Sequence, residues 1–207
     1  MSVFDYDAFD ATPLRTDPYD HIVVPGFVRR ELLPAIARDF PQIDDHGSHP
    51  VETLSAGPAF EAFWKDVQSD EFRAHFARKF GVDLTGHPMM ATVREYIDPT
   101  DGAIHTDSKT KVITILFYFN PEWPHEGGRL RVLRSATDLE DYADEIPPLD
   151  GLMLAFRRSA RSFHGHRPHD GHRRMVQIHW VDPKRIERNE RKRRSLRWRV
   201  KKLLRLG

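Results

Sequence analysis

Cysteine is absent from the 207 residues, which excludes disulfide frameworks, thiolate-bound zinc and thiol nucleophiles together. Any metal must therefore sit on His, Asp and Glu side chains. Long apolar runs are missing as well. The longest, Val112 to Phe119, is broken by Thr114 and falls far short of the roughly 20 residues a membrane span needs. With 39% hydrophobic residues, 30% charged residues and a mean hydropathy of -0.60, a soluble globular chain is expected. The acidic amino end, MSVFDYDAFD, lacks the basic and apolar stretches of a secretory signal, so a cytoplasmic location is expected. The length suits one domain with a tail.

Net charge is +1, but the two signs are segregated. Residues 184–207 hold 12 Lys or Arg against Glu187 and Glu190, a balance of +10, and the other residues balance to −9. As a helix, that tail would gather Leu196, Val200, Leu203, Leu204 and Leu206 along one arc, with Lys and Arg opposite and Trp198 off the stripe. A basic amphipathic segment of this kind docks on an anionic membrane surface, on nucleic acid or on an acidic partner. Its leucines serve equally well to cover the chain's own acidic domain. A peripheral membrane location through the tail is one expectation that follows.

Ahead of the tail, the texture changes once. Residues 1–86 read as a helical preface. In it, DPYDHIVVPGFV is an extended segment ending in a Pro-Gly turn, and Arg29 to Phe40 has helix composition. Phe60, Phe63, Trp64 and Val67 recur at helical spacing between Gly57 and Val67; Phe72, Phe76 and Phe80 repeat the theme until Gly81 stops it. From residue 87 to 182, short apolar or alternating runs (MMATVREYI, KVITILFYF, GGRLRVL, GLMLAF, RMVQIHWV) alternate with Pro, Gly and Asp clusters, the pattern of an antiparallel sandwich or barrel. The fold class is α+β: a single domain over residues 1–183, followed by the tail.

His105-Thr106-Asp107 lies between the first two of these strands, and His164 lies after the fourth, with 56 residues between Asp107 and His164. Residues i and i+2 of an extended segment point to one side, so His105 and Asp107 can converge on one ion, and a histidine from a distant strand can complete three ligands on one face. Two imidazoles and a carboxylate on one face form the facial triad of non-haem Fe(II) oxygenases, with positions left open for a co-substrate and O2. In a chain with 12 histidines a lone H-x-D recurs by chance, so the surrounding motifs carry the reading.

Those motifs occur in order. REYIDPTDGAIHTD is a tyrosine-bearing strand leading into H-x-D. LFYFNPEWPHEGGRLRVL has the form Y-Φ-N…W…G-G-x-L-R. PLDGLMLAF precedes the distal histidine, and HGHRP places Pro168 four residues after His164. From about residue 89 to residue 182 the chain resembles the prolyl-4-hydroxylase-like family of iron(II)- and 2-oxoglutarate-dependent dioxygenases, and the long middle motif resembles the hypoxia-type members.

The resemblance implies a double-stranded β-helix (jelly roll) with N-terminal support helices, and iron held by His105, Asp107 and His164. His166, His169 and His172 crowd the same loop and are expected to be exposed or to touch substrate. The family also places a Lys or Arg nine or ten residues after the distal histidine, to bind the far carboxylate of 2-oxoglutarate. Arg173 and Arg174 both fit that count, and strand alternation lets only one face the barrel interior. Arg173 is favoured by an ungapped match to the hypoxia-type enzymes. Arg174 is favoured by its distance from Trp180 and by sharing a face with Val176 and Ile178. Tyr96 and Tyr118 fall where the family supplies phenol hydroxyls to the same pocket. Asn120, Gly127 and Gly128 read as turn and bulge residues, and no role follows for Arg131. The implied reaction consumes O2 and 2-oxoglutarate, releases succinate and CO2, hydroxylates a substrate C–H and takes ascorbate as reductant. A peptidyl proline or another protein side chain is the substrate suggested. Two other readings stay open: a non-catalytic cupin-like binding module targeted by the tail, and a hydrolytic or isomerase metal centre. Residues 41–58 and 134–150 are the expected mouth loops. The second carries Asp138, Glu140, Asp141, Asp144 and Glu145, an acidic rim suited to a cationic substrate or to the tail.

Overall fold

The computed structural model describes residues 2–188. The tail beyond residue 188, including its leucine arc, lies outside the described residues; residues 183–188 are helical.

Helical spacing of aromatics builds the first layer. Helices α1 (Tyr6–Ala11), α2 (Leu33–Arg38), α3 (Pro58–Val67) and α4 (Asp70–Phe80) turn Phe9, Ile36, Phe60, Phe63, Phe72 and Phe76 inward, all essentially unexposed. α4 is well bounded: Ser69 Oγ accepts the Phe72 N–H at 3.1 Å, and Gly81 ends the helix in the left-handed region at φ 59°. Burying each of these phenylalanines contributes about 1.5–3 kcal/mol.

The strands are β1 (His21–Val24), β2 (His49–Pro50), β3 (Met89–Ile97), β4 (Lys111–Tyr118), β5 (Leu130–Leu133), β6 (Tyr142–Ile146), β7 (Met153–Arg157), β8 (His164–Gly165) and β9 (Gly171–Val181). They form a six-stranded antiparallel sheet, β1-β7-β4-β9-β3-β2, and a three-stranded one, β6-β5-β8. Alternation along the strands separates two cores. Ile113, Ile115 and Phe117 of β4 with Val176, Ile178 and Trp180 of β9 pack on the helices. Leu116 and Tyr118 of β4, Leu154 and Phe156 of β7 and Met175 of β9 meet Leu130, Val132 and Ile146 of the small sheet. Mixed α and β structure with two facing antiparallel sheets is consistent with a double-stranded β-helix.

Two expectations need revision. The stretch before residue 87 is more than a helical preface, because it supplies β1 and β2, both edge strands of the large sheet. The 134–150 stretch is not simply a mouth loop, since it contains β6. Three of its five acids are already engaged: Arg131 reaches Glu140 and Glu145, both at 2.7 Å, Arg167 reaches Glu140, and Asp144 binds Arg15 and the fully buried His21. Arg131, only 3% exposed and stacked over Tyr142, thus staples β5 to β6. The acidic rim is thus reduced to the exposed Asp138 and Asp141, which pair with no cation among the described residues.

Candidate metal centre

His105, in the loop before β4, and His164, at the start of β8, exchange two backbone hydrogen bonds of 3.0 Å. This isolated bridge brings their ring centroids to 4.3 Å. Each ring is oriented by its own local turn: His105 Nδ1 lies 2.8 Å from Ala103 O, and His164 Nδ1 lies 3.0 Å from Ser162 O. Both Nε2 atoms are thereby left to coordinate, the arrangement in which metal-bound histidines are held. Asp107 completes the group, and one ligand atom from each residue lies within 4.8 Å of the others. His105 is exposed, whereas Asp107 and His164 are buried, so the centre is open on the His105 side. Burial lowers the His164 pKa to about 4 in spite of the Asp107 carboxylate. The imidazole is therefore neutral at physiological pH, as a metal ligand must be.

Asp107 is held at three points. Lys111 Nζ lies 2.7 Å from Oδ1, Thr114 Oγ1 donates to Oδ2, and Arg158 Nε donates to the main-chain oxygen at 3.1 Å. Thr114 spends its only proton on Asp107 and so accepts from Nδ1–H of the buried His179 at 3.1 Å. Burial pushes the Asp107 carboxyl up, but Lys111 and then His164 outweigh it and hold the pKa below the ordinary value. Burial likewise drives His179 down to about 3, with Lys111 adding to the effect. The sequence did not single out Lys111, Thr114, Arg158 or His179. Strand period would have flagged Thr114, which shares the barrel-facing side of β4 with Leu116 and Tyr118.

The two candidate arginines part company on β9. Arg173 is 3% exposed; its Nη2 donates to Tyr118 Oη at 3.3 Å, its guanidinium lies over the Tyr118 ring, and its Nε has no partner. No carboxylate pairs with it among the described residues. Burial without a counter-charge lowers its pKa, and burial raises that of Tyr118. Arg174 points toward the helices with Val176 and Ile178, as the alternation required, but that side is the outside of the barrel. There it meets the buried Glu95 at 2.8 Å and the Ala37 carbonyl at 3.3 Å. The expectation for Arg174 as the carboxylate fork therefore fails, because its guanidinium is already matched to an internal acid. Glu95 also accepts from Ile43 N–H and contacts His172; burial alone would raise its carboxyl, yet these partners hold it low.

Tyr96 does not share the Tyr118 contact to Arg173. A register shift between Arg94 and Tyr96 pairs it with His172, and the rings meet edge to face at 5.3 Å. Its hydroxyl makes no hydrogen bond to Arg173 or the triad among the described residues; Tyr118 alone of the two reaches Arg173. His166, expected to be exposed or to touch substrate, is 6% exposed. Its N–H donates to Gly102 O at 2.9 Å, and its ring sits where a Cβ on Gly102 would come within 2.4 Å. Burial and then Arg173 lower its pKa to about 4. His169 packs against Trp123 and His125. Asn120 is a buried brace: its amide donates to Pro148 O and Arg174 O and accepts from Arg174 N–H.

The donor set of two imidazoles and a carboxylate suits ferrous iron. The buried guanidinium of Arg173, which pairs with no acid among the described residues, suits one end of a dicarboxylate. Comparison with known proteins agrees with both. Residues 91–182 match the family described as the 2OG-Fe(II) oxygenase superfamily. No curated protein matches the chain in sequence. Among solved structures the chain is similar to a Pseudomonas putida prolyl-4-hydroxylase, at 17% identity and TM-score 0.57 over 86% of this chain and 92% of that one. It is also similar to a prolyl 4-hydroxylase from Phytophthora capsici, at 13% identity and TM-score 0.55 over 87% of this chain and 63% of the other. A third likeness is to the viral collagen prolyl hydroxylase of Paramecium Bursaria Chlorella virus-1, at 14% identity and TM-score 0.52 over 78% and 94%. At these identities the structural likeness concerns the fold.

Proposed function

We propose that this chain, whose residues 91–182 match the 2OG-Fe(II) oxygenase superfamily, is a 2-oxoglutarate-dependent dioxygenase that hydroxylates a C–H bond of a protein side chain, a peptidyl proline among the candidates. The observation that carries the site assignment is the convergence of His105, Asp107 and His164. Each histidine turns Nδ1 to a main-chain oxygen and keeps Nε2 for the metal. When bound, ferrous iron with 2-oxoglutarate and O2 supplies the oxidation, in which the keto acid becomes succinate and CO2. The protein does the rest. Arg173 and Tyr118 bind the far carboxylate of 2-oxoglutarate, and the guanidinium gains the counter-charge that its burial demands. Lys111, Thr114 and Arg158 fix Asp107 so that its oxygens stay aimed at the centre. The exposed side of His105 is the approach for substrate. Ascorbate is the proposed reductant.

The protein-substrate reading is supported by a fold shared with three prolyl hydroxylases. For residues 184–207, the charge of +10 supports docking on an anionic membrane, nucleic acid or an acidic partner. The centre itself is tested by adding Fe(II) and 2-oxoglutarate anaerobically and following the weak visible charge-transfer band, then succinate release in air. The wild type gives both. His105→Ala and His164→Ala give neither while keeping their circular dichroism. Unchanged 2-oxoglutarate turnover in both variants overturns the assignment.

A further inference from the structure

The end of β7 and the loop that follows it run Arg157-Arg158-Ser159-Ala160-Arg161, three guanidinium groups in five residues of a domain that is otherwise acidic. It walls a cavity of about 430 Å³ whose other lining includes Tyr19 and Asp20. That volume lies in the range of small-ligand sites. Charge within it is unbalanced. Asp20 is the only acid of the lining, and it sits 3.9 Å from Arg157, too far for a hydrogen bond. Arg161 pairs with no acid among the described residues. Arg158 spends only Nε, on the main-chain oxygen of Asp107.

The wall is also preorganised. The fully buried Ser162 hydroxyl donates to Ser159 O and accepts from Ser159 N–H, both at 3.0 Å, while Arg161 N–H donates to Ser159 Oγ at 3.1 Å. Tyr19 Oη fixes the far end by donating to Phe163 O at 2.9 Å. One residue after Phe163 comes His164. Arg158 therefore belongs to both places: it lines the cavity and touches the main chain of a triad residue.

We propose that this cavity takes an anionic group of the substrate, a carboxylate or a phosphate or sulfate ester, and so holds a neighbouring C–H bond at the metal centre. The inference rests on the oxygenase reading and narrows it to acidic substrates. Guanidinium forks suit such oxyanions because two parallel N–H bonds match two oxygens. The cavity is separate from Arg173, which is reserved for 2-oxoglutarate.

The test is calorimetric, on the full-length chain with Mn(II) and saturating 2-oxoglutarate, so that Arg173 is already taken. Binding of 2-oxoglutarate is read first in the same cell, and its failure would count against the oxygenase reading alone. Sulfate and acetate are then titrated separately; tighter binding of one says whether the group is tetrahedral or a carboxylate. Arg161→Gln and the double variant Arg157→Gln/Arg161→Gln should weaken the better anion at least tenfold. Arg78→Gln, an equal charge change on α4, should leave it unaltered. Normal 2-oxoglutarate binding with no anion binding in the wild type, or an equal loss in Arg78→Gln, overturns the proposal and leaves the oxygenase reading standing.

Discussion

Lys111 Nζ sits 2.7 Å from Oδ1 of Asp107, so a full positive charge leans on the one anionic member of the His105–Asp107–His164 group. The pair is mostly buried and costs more to break than a surface pair. It also competes with any cation the carboxylate is to bind. Replacing Lys111 by Met should tighten Mn(II) binding several-fold while lowering the stability of the metal-free protein by about 1–3 kcal/mol. Calorimetric metal titration and urea unfolding read the two effects, which have opposite signs. Weaker Mn(II) binding in Lys111→Met would mean that the lysine positions the carboxylate more than it opposes the metal.

Arg173 and Arg174 should separate cleanly. Arg173→Gln removes the buried fork and should weaken 2-oxoglutarate binding at least about 100-fold, a loss of about 3 kcal/mol in charge-assisted hydrogen bonds. Arg174→Gln should leave that affinity within about twofold, since its side chain lies on the opposite face of β9. It should instead destabilise the fold by about 3 kcal/mol by depriving buried Glu95 of a cation. Affinity by titration and stability by denaturant midpoint must move in different variants.

Buried imidazoles make the metal-free protein acid-sensitive. His164 and His166 are lowered to about 4 and His179 to about 3, against an ordinary value near 6.5. Between those limits the unfolded chain binds protons that the folded one refuses, so folding stability is full above pH 6.5 and falls as pH drops toward 4. The melting temperature should decline over that window. His166→Gln should decline less steeply, and equal slopes for wild type and variant would show that His166 does not contribute.

Arg131 should matter for stability without touching the chemistry. It is 3% exposed between Glu140 and Glu145. Arg131→Met should cost toward the low end of about 3–5 kcal/mol, because Glu140 is itself half exposed. Metal and 2-oxoglutarate affinities of the folded fraction should be unaltered.

The triad was legible because the motifs around His105, Asp107 and His164 occur in the order of a known family; strand geometry alone says only that residues two apart can share a side. α3 and α4 were legible from aromatic spacing and from Gly81. The choice between Arg173 and Arg174 was not legible, because β9 is largely buried on both faces. Alternation says that the two arginines face opposite ways, but only the packed helices say which way is out. Arg158 and His179 escaped because their partners, the main chain of Asp107 and the hydroxyl of Thr114, are fixed by tertiary contact alone.

The placement of β1 sets a boundary on how far the chain can be trimmed. Cutting back to residues 91–182, the stretch that matches the oxygenase superfamily, would remove β1 from β7 and β2 from β3, and uncover the aromatic layer beneath the large sheet. Two strands with open ladders and an oily flank invite pairing between molecules. Such a fragment is expected to precipitate even though it carries every ligand of the centre. The catalytic half is therefore not a detachable part; its solubility is supplied by the residues that come before it.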